Sequence, residues 1–299
     1  MSRYNLQIKC GTYAGTGVAQ DITGVGFSPD FVMVDANGTT NGVWKTTAMR
    51  GDSTSYFTNA VANFTGGVTT MLPDGFSIGA DVTTNTNGST YYYMAIHGTS
   101  GQRCFQVGKY FGDGADDRNY TGGAINFTPD VVFLKKDSTL AGEFKTASMT
   151  GDNTTPFANV LAADKIQSLI SGGFQVGTSS NSSGVVFYFM AAKAVSGVIA
   201  YGTYTGDGKT TRKFTGIGFK PDAIVIHQNA AAQTRFKTVD MGATSTAQLG
   251  ASASSTTYIT SLDTDGFTTG STGNTDTLAH YWVAFKQGNF NTPLIRTAA

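Results

Sequence analysis

The chain has 299 residues and balances 20 Lys plus Arg against 20 Asp plus Glu. Charged residues make up 13% of it, against about 25% in ordinary soluble domains; Gly, Thr, Ser and Asn fill the difference, with 12% aromatics. A chain without net charge has no bulk field to draw nucleic acid or an anionic membrane surface, and no apolar run approaches the ~20 residues of a membrane span.

Met1-Ser2-Arg3-Tyr4-Asn5-Leu6 lacks the apolar centre of a signal peptide, so synthesis in a cytoplasm without export by the usual route is expected. The next segment, Gly11-Thr12-Tyr13-Ala14-Gly15-Thr16-Gly17, reads as a strand running into a glycine turn. It returns as Gly108-Lys109-Tyr110-Phe111-Gly112-Asp113-Gly114 and as Gly202-Thr203-Tyr204-Thr205-Gly206-Asp207-Gly208. Asp-Gly between strand formers predicts a hairpin, because Gly tolerates positive φ. The return strand is expected to end at a second repeated block: Phe27-Ser28-Pro29-Asp30, Phe127-Thr128-Pro129-Asp130 and Phe219-Lys220-Pro221-Asp222. Pro cannot donate to a ladder, so Pro29, Pro129 and Pro221 belong at a strand start or edge.

Apolar runs follow: Phe31-Val32-Met33-Val34, Val131-Val132-Phe133-Leu134 and Ala223-Ile224-Val225-Ile226. They are short and rich in β-branched residues, as in a strand buried on both faces. Fifteen residues after each Asp stands a Lys inside an aromatic-Lys-Thr triplet, at Lys45, Lys145 and Lys237, with Met49, Met149 and Met241 four residues later. In the back half, Val68, Ile166 and Ile259 each precede by eight residues a Phe in a turn-then-strand signal (Asp74-Gly75-Phe76, Gly172-Gly173-Phe174, Asp265-Gly266-Phe267). A last aromatic strand closes each copy, at Tyr91-Tyr92-Tyr93, Phe187-Tyr188-Phe189 and His280-Tyr281-Trp282.

The pattern is three copies of one unit of roughly 95 residues, large enough for a core of its own. Six to eight short strands per copy, parted by Gly, Asn and Thr-rich turns, predict an all-β chain of three tandem antiparallel β-sandwich or jelly-roll-like domains. Their expected limits are residues 1–99, 100–196 and 197–299. Linkers this short predict domains packed on one another. Ala158–Ile170 could read as a helix, but its Thr- and Gly-rich counterparts in the other copies argue for strand and loop.

Asp30, Asp130 and Asp222, with Lys45, Lys145 and Lys237, are the charged residues present in all three copies. An enzyme rarely needs three equal sites, whereas a fold must solve one turn three times. The Asp is therefore expected to cap a turn and the Lys to pair with it across a sheet, and Phe27, Phe127 and Phe219 to sit in the core. His97, His227 and His280 fall at unmatched positions without a second ligand at metal spacing, and no Gly-x-Ser-x-Gly elbow is present. Cys10 and Cys104 are unmatched too, which predicts buried free thiols instead of a disulfide framework. The densest acidic cluster, Asp113, Asp116 and Asp117, is a weak Ca²⁺ candidate: it lacks EF-hand order, and Lys209 stands where the matched turn would carry acids. Gly208-Lys209-Thr210 opens no helix and is no phosphate loop. No cofactor is expected.

Together, Gly-x-Tyr-x-Gly-Asp-Gly, Gly-Phe-x-Pro-Asp, Lys-Thr and Asp-Gly-Phe resemble a repeat of tailed-bacteriophage virion structural proteins, found in decoration, spike, fibre and tail-tip components. The second and third copies match best; Gly15-Thr16-Gly17 lacks the Asp. The resemblance spans nearly the whole chain and implies a non-enzymatic virion protein, made in a host cytoplasm, whose partners are other capsid or tail proteins. Two alternatives remain open. A carbohydrate- or receptor-binding module for a host surface would need solvent-facing aromatics, with Tyr91, Tyr92, Tyr93, Phe187, Tyr188 and Phe189 as the platform. A glycan-degrading enzyme would need paired carboxylates about 5–10 Å apart in a cleft, drawn from Glu143, Asp116 or Asp117.

Overall fold

The structure is a computed structural model that describes residues 3–36, 38, 40–98 and 104–293. Met1, Ser2 and the expected boundary at residue 99 lie outside them. It is nearly all β, in antiparallel sheets.

The first copy contributes β1 (Arg3–Ala14), β2 (Gln20–Thr23), β3 (Phe31–Asp35), β4 (Val43–Thr46), β5 (Ser55–Tyr56), β6 (Val68–Leu72), β7 (Gly75–Ile78) and β8 (Thr90–Gly98). The second supplies β9 (Phe105–Phe111), β10 (Arg118–Tyr120), β11 (Val131–Lys136), β12 (Glu143–Thr146), β13 (Thr155–Pro156), β14 (Ile166–Ile170), β15 (Gly173–Val176) and β16 (Val186–Ala192). The third supplies β17 (Ile199–Thr205), β18 (Thr211–Thr215), β19 (Ala223–Gln228), β20 (Arg235–Thr238), β21 (Ala247–Gln248), β22 (Ile259–Asp263), β23 (Gly266–Gly270) and β24 (Ala279–Phe285), and β25 (Gly288–Pro293) ends the described chain. Residues 166–170 are strand, not helix.

Strand order repeats with the sequence. The large sheets run β1-β8-β3-β4-β5, β9-β16-β11-β12-β13 and β17-β24-β19-β20-β21; the small ones run β2-β7-β6, β10-β15-β14 and β18-β23-β22. Even a register shift recurs, at Val68/Thr70, Ile166/Ser168 and Ile259/Ser261. One strand breaks the pattern. β25 pairs with β1 from Arg3 opposite Pro293 to Ile8 opposite Gly288, so the last strand closes onto the first.

The apolar runs are buried on both faces because each large sheet lies between two cores. Val32 and Val34 meet Ile22, Phe76 and Ile78 of the small sheet, whereas Phe31 and Met33 turn the other way. There they join Phe133, Phe144, Phe157, Val225, Phe236 and Leu249 in one cluster drawn from all three copies. Period-two alternation thus sends one side of each central strand to a private core and the other to a shared one. The copies are packed as the short linkers predicted, and further: their interface is itself a hydrophobic core.

At one end of the shared core, six backbone hydrogen bonds close a ring. Gly42 N–H donates to Leu249 O (3.1 Å), Leu249 N–H to Thr234 O (2.9 Å), Thr234 N–H to Phe157 O (2.8 Å), Phe157 N–H to Gly142 O (2.9 Å), Gly142 N–H to Phe57 O (2.8 Å) and Phe57 N–H to Gly42 O (3.1 Å). Every second bond crosses from one copy to the next, so the ring gives the chain a pseudo-threefold axis.

The glycine turn after the first strand of each copy is not the expected hairpin. β1 pairs with β8 and β25, while β2 pairs with β7, so the turn carries the chain from the large sheet to the small one. Glycine is required there for close approach: a Cβ at Gly15, Gly112 or Gly206 would collide with the carbonyl of Thr86, Ser182 or Thr275. The Asp-Gly-Phe signals do mark hairpins, with Leu72 opposite Gly75 and Asp263 opposite Gly266. Return strands β2, β10 and β18 stop at Thr23, Tyr120 and Thr215, before the Phe-x-Pro-Asp block.

Candidate functional site

Phe27, Phe127 and Phe219 are buried in the three private cores, and Pro29, Pro129 and Pro221 are buried two residues before a central strand. The repeated Asp is a three-way clip. Asp30 N–H donates to Ile96 O (2.8 Å), its carbonyl accepts from Thr47 N–H (3.0 Å), and Oδ2 accepts from Gly98 N–H (3.0 Å). Asp130 and Asp222 repeat the carboxylate contact with Ala194 N–H (2.8 Å) and Gln287 N–H (2.9 Å).

The Lys is not its partner, which corrects the expected cross-sheet pair. Lys45 Nζ donates to the Gly51 and Ser53 carbonyls (2.8 and 2.7 Å), and Lys145 and Lys237 bind the matching carbonyls of Gly151 and Asn153, and of Gly242 and Ser245. Each ammonium is wrapped by the loop that follows its own strand, and burial lowers its pKa to about 8. The repeated Asp and the repeated Lys do not pair with each other.

A basic side chain follows the clip in each copy: His97, Lys193 and Lys286 occupy matching places. His97 Nδ1 lies 2.9 Å from Asp30 Oδ2, and Lys286 Nζ lies 3.5 Å from Asp222 Oδ2. Asp130 instead accepts from Tyr201 Oη of the third copy (3.4 Å). The Asp30–His97 pair faces a shallow groove of about 400 Å³ between the first two copies, lined also by Thr47, Gln106 and Val107. The bond to Asp30 raises the His97 pKa, helped by the Ser28 carbonyl. The pair ties the end of β8 to the residue ahead of β3.

The calcium candidate does not assemble. Asp113 accepts from Ala115 N–H (2.9 Å) and Asn181 Nδ2 (2.6 Å) and meets Arg118 Nε at 3.2 Å, while Asp116 binds Asp117 N–H (2.9 Å) and Gln167 (3.1 Å). Among the described residues no three Asp, Glu, His or Cys converge as a metal would need. Glu143 is buried, 2.7 Å from Lys165 Nζ and bonded to Ser180 Oγ, whereas Asp116 and Asp117 are exposed. Tyr91, Tyr93, Phe187, Tyr188 and Phe189 are buried in the cores and Tyr92 packs against the shared one, so none offers a sugar platform. His227 and His280 are buried, and desolvation lowers their pKa to about 3 and about 4. Cys10 and Cys104 are buried free thiols, pushed up by desolvation, Cys104 to about 12.

Sequence reasoning missed a repeated Asn. Asn85, Asn181 and Asn274 are buried and organise the glycine turn: Asn85 Nδ2 donates to Val18 O and Gly79 O, Asn181 to Asp113 and Ala115 O, Asn274 to Asp207 and Lys209 O. Arg118 and Arg212 bridge the same Asn to the preceding strand, and Gln20 does so in the first copy. Each Asn stands six residues before the first aromatic of the closing strand (Tyr91, Phe187, His280), a fixed spacing that was available to find it.

The fold and its repeated contacts thus define an all-β protein whose invariant polar residues tie the fold together. A family model described as a domain of unknown function (DUF7483) matches residues 6–102. No curated protein and no solved structure matches the chain. Among the described residues no helix is long and apolar enough to cross a membrane.

Proposed function

We propose that the chain is a non-enzymatic structural component of a phage virion surface, of the decoration, spike or fibre type. It is built as three tandem β-sandwich repeats with the limits 1–99, 100–196 and 197–299, and acts through contacts with capsid or tail proteins. The observation that carries this reading is the closed six-bond ring above a core shared by three copies. A single chain with a pseudo-threefold axis can sit on a threefold or quasi-threefold position of a particle, as a homotrimer would. The family model's span, 6–102, is what a first repeat ending near residue 99 would give. The resemblance of the glycine turns and Pro-Asp blocks to phage repeats supplies the virion context. All three copies spend their repeated polar residues on caps and loop cradles, which speaks for scaffold over catalysis.

Electron cryo-microscopy of purified particles carrying the chain is the test. Density on the capsid lattice, centred on a threefold or quasi-threefold position, is the expected result. Density restricted to the tail would move the assignment to host attachment, with glycan arrays next, and absence from every particle would end the virion reading.

A further inference from the structure

The opening strand of each copy carries one position that the three copies fill differently. Cys10, Val107 and Tyr201 stand just before the first glycine of the repeated turn, opposite Met94, Met190 and Val283 in the closing strand. Tyr201 reaches back from the third copy to the clip of the second: its Oη donates to Asp130 Oδ1 (3.4 Å), while Asp130 Oδ2 accepts from Ala194 N–H (2.8 Å). Burial and the Asp130 carboxylate both raise the phenol pKa, so the hydroxyl keeps the proton it donates. Between the third copy and the first, β25 lies alongside β1, and Cys10 N–H donates to Gln287 Oε1 (3.4 Å).

Between the first copy and the second, the place belongs to Val107, which has neither a ring to fill the junction nor a hydroxyl to offer. The groove of about 400 Å³ that Val107 lines with Asp30, Thr47, His97 and Gln106 lies at this junction, and its volume is in the range of small-ligand sites. Asp30 Oδ2 accepts from Gly98 N–H as Asp130 Oδ2 does from Ala194 N–H, so Asp30 Oδ1 is the counterpart of the oxygen that binds the Tyr201 phenol. The Asp30 and His97 side chains are each 24% exposed, which leaves both within reach of a ligand. No aromatic side chain lines this groove. Residues 1–2, 37, 39, 99–103 and 294–299, which are not described, include no aromatic either.

We propose that this groove is a socket for a tyrosine side chain of a partner protein, its ring lying as Tyr201 lies at the next junction and its hydroxyl donating to Asp30 Oδ1. The molecule thus carries the template of its own ligand: one junction shows the phenol in place, and the matching junction offers the same carboxylate beside an open groove. Tyrosine suits such a place because it brings a large apolar face with few rotatable bonds and a hydroxyl that finds a partner when buried. The socket goes beyond the virion assignment and does not rest on it.

The test is a titration of the ¹⁵N-labelled full chain with p-cresol, the tyrosine side chain as a free molecule, followed by NMR at the amides of Thr47, Gly98 and Gln106. Saturable shifts with roughly millimolar affinity are expected, and toluene, which lacks the hydroxyl, should bind at least about tenfold more weakly. Val107→Tyr, which installs the third copy's phenol, should abolish the shifts. Tyr201→Val, which opens the matching groove, should add new ones at Ala147 and Ala194, and it carries the comparison if Val107→Tyr does not fold. A capped Gly-Tyr-Gly peptide should move the same amides as p-cresol, and capped Gly-Phe-Gly should not. No saturable shift at Thr47, Gly98 and Gln106 would overturn the socket, and toluene binding as well as p-cresol would overturn the bond to Asp30. Binding of p-cresol but not of the tyrosine peptide would overturn the partner assignment in favour of a free phenol.

Discussion

Phe133 is the residue on which the shared core can be tested. It is fully buried, with ring centroids 6.5 Å from Phe31 and 6.4 Å from Phe57 of the first copy, and 5.7 and 5.3 Å from Phe144 and Phe157 of its own. A buried Phe removes on the order of 200 Å² from water. At about 25 cal/mol per Å² that is about 5 kcal/mol as an upper bound, and truncation to Ala in a core costs about 3–5 kcal/mol. The chain carries its own reporters, because its 2 tryptophans lie in other copies than Phe133. Trp44 is fully buried in the shared core from the first copy, and Trp282 packs on Phe267 in the private core of the third (5.6 Å). With a urea m of about 3 kcal/mol/M, Phe133→Ala should lower the tryptophan fluorescence midpoint by about 1–1.7 M, and the far-UV circular dichroism midpoint equally. If the fluorescence transition stays where wild type has it while roughly a third of the dichroism melts early, the copies fold independently and the shared-core argument fails.

Three further outcomes are expected. His227 is buried neutral with its pKa depressed to about 3, so the unfolded chain binds more protons below about 6.5 and stability falls as pH drops from there towards 3. At pH 4.5 the loss from this residue is on the order of 3 kcal/mol; His227→Gln should flatten the urea midpoint against pH over that window, and an unchanged slope would refute the assignment. Lys145→Met strips the partner from the Gly151 and Asn153 carbonyls and should cost about 1–3 kcal/mol. Amide exchange should then speed up between Met149 and Thr154, and protection as in wild type would show that the ammonium does not hold the loop. Asp113→Ala should leave the melting temperature equally insensitive to EDTA in variant and wild type, because Arg118 and Asn181 already occupy that carboxylate; an EDTA response lost in the variant would restore the calcium reading.

The parts of the fold that were legible are those fixed by local periodicity. The apolar runs at Phe31, Val131 and Ala223 gave strands buried on both faces, and Asp-Gly-Phe gave true hairpins with two-residue turns. Misread were the features set by distant partners. The Gly-Asp-Gly turn looks like a hairpin locally, yet β1 and β2 go to strands more than fifty residues on, and no short-range signal records that choice. The Lys was paired with the Asp because both repeat, whereas the ammonium finds carbonyls six and eight residues along its own chain. Asn85, Asn181 and Asn274 were visible by spacing and overlooked among so many polar turn residues. Asp35, Lys135 and His227 each stand five residues after the repeated Asp, opposite Tyr92, Tyr188 and Tyr281, and were hidden for the opposite reason: three unlike residue types conceal a common place in space.

The closure of β25 onto β1 has a mechanical consequence. Arg3 lies opposite Pro293, so the first and last described residues leave the molecule side by side. A load applied at both would open that ladder one pair at a time, starting from Arg3 and Pro293, instead of straining all six pairs together. The same protein gripped by one end and by its outer sheets would not load this seam. Its resistance to pulling therefore depends on where it is held, and an attachment through both strand ends is the weak way to anchor it.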